Sequence, residues 1–68
     1  MMKLKTLIKP MLNCQTVIIS EIYNSQEAVF EGSIERFRIN PKKYQELLER
    51  KVHIMYANTQ MDIVIIIK

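Results

Sequence analysis

Residues 61–68 read MDIVIIIK, with five aliphatic side chains in a row from Ile63 to Ile67. A short run rich in β-branched residues predicts a strand. A strand with one wet face alternates apolar and polar side chains; this one does not, so both its faces want cover. Two arrangements meet that demand. The strand lies inside a sheet with its second face under an N-terminal helix, or its second face or its edge meets another chain. The sequence favours the second. The N-terminal helix is short and interrupted by Pro10, and an uncovered apolar edge invites aggregation. A chain of 68 residues also gains core by oligomerising. Val64 and Ile66 are therefore the candidate self-association residues, and a homo-oligomer is the expected state.

Reading back from that run, Asn58–Gln60 (NTQ) is a tight turn and KVHIMYA (51–57) a strand. Val52, Ile54 and Tyr56 share one face of it, and His53, Met55 and Ala57 the other. PKKYQELLER (41–50) reads as a helix, with Asn40 as N-cap, Pro41 at the first helical position and Tyr44, Leu47 and Leu48 as its apolar stripe. EAVFEGSIERFRI (27–39) has the clearest period-two signal. Ala28, Phe30, Gly32 and Ile34 lie on one face, and Glu27, Glu31, Ser33 and Glu35 on the other. Phe37 and Ile39 fall out of that register, which predicts a bulge or break near Glu35–Arg36. NSQ (24–26) is a polar turn, and QTVIISEIY (15–23) the strand before it. Leu4, Leu7, Ile8, Met11 and Leu12 recur at helical spacing, ending near Lys9 because of Pro10. The expected fold is one α+β domain: an antiparallel sheet of two β-hairpins, a helix between them and a short N-terminal helix.

The composition excludes several classes of protein. One cysteine, Cys14, forms no internal disulfide, and small secreted domains usually need several. The basic, partly apolar start lacks the continuous apolar stretch and cleavage site of a signal peptide. No apolar run approaches the roughly 20 residues of a membrane-spanning helix. These features predict a cytoplasmic protein with no membrane contact.

Chemistry-bearing residues are sparse. His53 and Cys14 are each the only one of their kind, with no spacing that pairs them as base and nucleophile, and two candidates are too few for a zinc site. Cys14 reads as a small buried hydrophobe and His53 as a surface residue. Glu27, Glu31 and Glu35 read as the wet face of a strand. Gly32 is alone, so no phosphate-binding loop exists; a strand glycine marks a bulge or a close approach. No cofactor, metal or catalytic residue is expected, and the chain reads as a non-enzyme. One cluster has a functional reading. Arg36, Arg38, Lys42, Lys43, Arg50 and Lys51, with Phe37 and Tyr44 between them, form a basic segment. Cations hold phosphates and aromatic rings stack on bases, so nucleic-acid contact is the alternative to protein contact.

The pattern resembles short uncharacterised proteins encoded by phages and prophages of Gram-positive bacteria. It lies in MKLKTLIKPML (2–12), TVIISEIY (16–23), VFEGS (29–33), YQELLER (44–50), KVHIMYA (51–57) and MDIVIII (61–67). Such proteins are often acidic, whereas this chain carries a net charge of +3. The resemblance implies an accessory protein without an active site that binds a host or phage protein, with interference in a defence system as one role. It assigns no functional residues.

Overall fold

Residues 2–23 and 27–68 are described by a computed structural model; the expected NSQ turn at 24–26 lies outside the described residues. The chain runs α1 (Leu4–Ile8), β1 (Thr16–Ser20), β2 (Phe30–Ser33), α2 (Glu35–Ile39), α3 (Gln45–Leu48), β3 (Val52–Ala57) and β4 (Ile63–Ile67). The strands form one sheet in the order β2-β1-β4-β3. The α+β class stands, but the sheet is mixed rather than antiparallel. β1 and β2 pair antiparallel, as do β3 and β4, while β1 and β4 run parallel at the centre.

That parallel pair explains the unalternating run. β4 is an inner strand, flanked by β1 and β3, so both its edges are paired within the chain. The register divides the faces: Ile63 and Ile65 lie beside Val17 and Ile19, and Val64 and Ile66 beside Ile18 and Ser20. Val17, Ile19, Ile65 and Ile67 join Leu4, Ile8, Phe30, Ile34 and Phe37 in one buried cluster. All three helices contribute to that cluster or pack on it, so they share one face of the sheet. α1 covers the Ile65 side of β4, leaving the Val64 side with no helix among the described residues.

Two stretches depart from the expected elements. The register break after Ile34 is not a bulge in a long strand. β2 ends at Ser33 and α2 begins, because Ile34 and Phe37, three apart, both reach the core at 0% and 2% exposure. Ile39, which extended the strand-like pattern, is 71% exposed. Asn40 does not cap a helix beginning at Pro41. It ends α2 with φ −141° and ψ 56°, as a residue before proline is driven away from helical geometry. Residues 41–44 then turn, with the Lys43 N–H donating to Asn40 O, and α3 starts only at Gln45.

The β3–β4 turn is built by Asn58, whose Oδ1 accepts from the N–H groups of Gln60 and Asp62 at 2.9 Å each. A register shift between Val52 and Ile54 makes His53 the extra residue of a bulge. Val52 consequently faces the core, on the opposite side from Ile54 and Tyr56, with which simple alternation grouped it.

Replacing Phe37 or Ile65 by alanine should lower stability by about 3–5 kcal/mol, since both are enclosed on all sides. That is comparable to the whole stability of a chain this size, roughly 3–10 kcal/mol. Ile39→Ala should change it by less than about 0.5 kcal/mol. Urea unfolding followed by circular dichroism separates the two outcomes.

Candidate functional site

The six cations of the basic segment do not form one patch. Three are held by the chain itself. Arg36 lies over Gly32 on edge strand β2. Its Nη1 donates to Glu31 O at 3.2 Å and its guanidinium sits 5.1 Å from the Phe30 ring centre. A side chain on Gly32 would put its Cβ 2.6 Å from that Nη1, so the glycine makes room for the arginine. Arg38 reaches back to the end of α1. Its Nη2 donates to the carbonyls of Ile8, Lys9 and Met11 at 3.3, 3.2 and 2.6 Å, and its Nη1 donates to Asn13 Oδ1. It thus caps carbonyls at and just beyond the C-terminal end of α1, where Ile8 O also accepts from the Met11 N–H. Arg50 donates to Glu21 Oε2 at 2.8 Å and, through Nε, to Lys68 O. Lys42, Lys43 and Lys51 are exposed, and Lys43 lies 5.5 Å from the Tyr44 ring centre.

Of the two aromatic rings of the segment, Phe37 is enclosed and Tyr44 is half-buried. Phe37 is 2% exposed and packs against Phe30 at 4.2 Å and Tyr44 at 5.0 Å between ring centres. Cys14, read as buried, is exposed, because the turn between α1 and β1 lies at the surface. His53 is exposed on β3, as read.

Val64 and Ile66 are only 8% and 3% exposed within the single chain. On the helix-free face, Val64 lies between Ile18 and Tyr56, and Ile66 between Ser20 and Ile54. Tyr23 adds a ring edge-on to Tyr56 at 5.9 Å. Both are therefore largely enclosed within the single chain, while Ile54 beside Ile66 is 39% exposed. Lysine at either position would bury a charge and report on folding rather than on association.

The two sheet edges differ. β2 is four residues long, carries Glu31, and has Arg36 bonded to its Glu31 carbonyl. Short length, charge and a covering side chain are the usual ways of blocking an edge. β3 is six residues long, VHIMYA, with no carboxylate, lysine or arginine. Its first residues are covered, as the Val52 N–H donates to Met2 O and Lys3 bridges Lys51. Beyond Val52 the outer side pairs with no strand among the described residues. The Asn58 N–H donates to Asp62 O, which sets the ladder so that Tyr56 and Ile54 face β4 and the backbone groups of Met55 and Ala57 face outward. Ile54 and Met55 are 39% and 46% exposed there. Sequence reading missed this contrast because edge and interior strands are assigned by the crossover, not by composition.

Between α1 and α3, Lys3 and Lys5 donate to the two oxygens of Glu49 at 2.8 and 2.7 Å. The hydrogen bond from Lys3, then that from Lys5, holds the Glu49 carboxyl at about 2 rather than its ordinary 4.5. No helix of the described residues is long and apolar enough to cross a membrane. Comparison with protein-family models, curated proteins and solved structures returns no match for this chain.

Two outcomes follow. Arg38→Ala should destabilise by about 1–2 kcal/mol, and Arg38→Lys should recover only part of it, since a single ammonium cannot span four acceptors. Urea titration reads both. The Glu49 carboxyl is depressed, so its contribution is complete above pH 4.5 and is lost as pH falls towards about 2. Thermal melts of Glu49→Gln should therefore show a shallower acid decline across that window than wild type.

Proposed function

We propose that this chain is a non-enzymatic protein-interaction module that self-associates by adding β3 of one copy to β3 of another. The observation that carries the reading is the unequal treatment of the two sheet edges: β2 is short, charged and blocked by Arg36, while β3 is uncharged and open beyond Val52. An open, regular, uncharged edge is a template for backbone pairing.

The covered part of the edge limits the register. With Met2–Leu4 against residues 50–52, the open stretch is His53–Ala57 and its middle residue is Met55. Met55 turns its backbone groups outward, so a two-fold axis through it lets two copies exchange both hydrogen bonds of an antiparallel pair. Ile54 of one copy then stands opposite Tyr56 of the other on the helix-free face, a branched–aromatic pair of the kind that stabilises sheets by about 0.2–1 kcal/mol. Five residues of strand bury less than the roughly 800 Å² per partner of a standard interface, which makes the association concentration-dependent.

Such a surface suits the accessory role implied by the resemblance to phage and prophage proteins, in which a host or phage protein, defence components included, is the target. The alternative, nucleic-acid contact through residues 36–51, has less support. Arg36, Arg38 and Arg50 have partners within the chain, and Phe37 is enclosed.

Sedimentation velocity over a wide concentration range should show a monomer passing to a dimer. Ile54→Lys and Met55→Lys, both at exposed positions, should hold the monomer with the far-ultraviolet spectrum unchanged. A wild-type monomer up to the solubility limit would overturn the proposal.

A further inference from the structure

On the helix layer, α1 and the segment around Pro41 border a shallow groove. It consists of two adjoining depressions of about 210 and 230 Å³, which share Lys5, Pro41 and Leu48. Ile8, Phe37 and Leu48 supply an apolar floor. Lys5, Lys9 and Lys42 stand around it with Arg38. These cations come from parts of the chain that lie far apart in sequence and that only the packing of α1 against α3 brings together.

The charges are not balanced locally. Glu49 is the one carboxylate lining these depressions, and Lys3 and Lys5 already share it. Lys9 and Lys42 are exposed and make no ion pair among the described residues. Arg38 is bonded to neutral carbonyls and an amide, so its charge has no counter-ion among the described residues either. A cationic rim over an apolar floor attracts a ligand of opposite sign that also carries something to bury.

We infer that this groove docks an acidic segment of a partner protein, with an aliphatic side chain on the Ile8–Leu48 floor and flanking carboxylates at Lys9 and Lys42. Each depression taken singly is smaller than a usual small-molecule pocket and suits a side chain. A nucleic acid fits less well. Its phosphates need donors along their whole path, this floor supplies none, and Phe37 is too enclosed to stack on a base. The inference does not depend on the pairing of β3, which lies on the sheet.

A random-peptide display selection on the immobilised full chain tests it, followed by fluorescence anisotropy of the enriched peptides. Enrichment of sequences with Asp or Glu around an aliphatic residue is expected. Their binding should weaken with salt and fall about tenfold or more in the double variant Lys9→Glu, Lys42→Glu. Both positions are exposed, and circular dichroism confirms that the variant remains folded. Failure to enrich acidic–aliphatic peptides, or enriched peptides that bind the variant as well as wild type, would overturn the inference. Tighter binding of a short single-stranded DNA, lost in the same variant, would also overturn it and assign the groove to nucleic acid.

Discussion

β1 and β4 come from opposite halves of the chain and run parallel through the middle of the sheet. Everything else is arranged around that contact. It makes each antiparallel pair a flank rather than a separate hairpin, sending β2 to one edge and β3 to the other. It also requires a crossover, and residues 34–51 supply one through α2 and α3 on the face that α1 also covers. With all the described helices on one side, the molecule has a helix-covered face and a face without a helix among the described residues, and its two edges are chemically unlike.

The arginines show how a short chain closes its own loose ends. A five-residue helix ended by proline exposes carbonyls, and Arg38 occupies them. A four-residue edge strand exposes a carbonyl, and Arg36 covers it across Gly32. Arg50 ties the outer end of β1 to the last residue of the chain. The guanidinium fork suits such work better than an ammonium, because its donors diverge in a fixed plane. The lysines, by contrast, lie mostly at the surface, where their charge faces solvent or a ligand.

Much of this was legible in the sequence, and the failures have identifiable causes. β1, β3 and β4 could be read because branched residues cluster there, and α1 because its apolar spacing is helical. α2 was hidden because Ile34, Phe37 and Ile39 fit a slipped strand as well as a helix of one turn, and only packing decides between them. The parallel pairing was hidden because no local pattern records which strands meet after a crossover. Glu31 and Lys51 look alike as surface charges; that one marks a blocked edge and the other the start of an open one depends on topology. The basic segment was visible as a run of charge, yet the groove draws Lys5 and Lys9 from the far end of the sequence and leaves Arg36 and Arg50 elsewhere.

The central position of β4 also bears on the order of events during synthesis. Val17 has to wait for Ile63 before its parallel partner exists, and the loop between them must close before any burial rewards it. A nascent chain carrying α1, β1 and β2 holds half a core and no centre. Loss of residues 63–67 would therefore not trim an edge; it would take out the strand on which both halves of the sheet close.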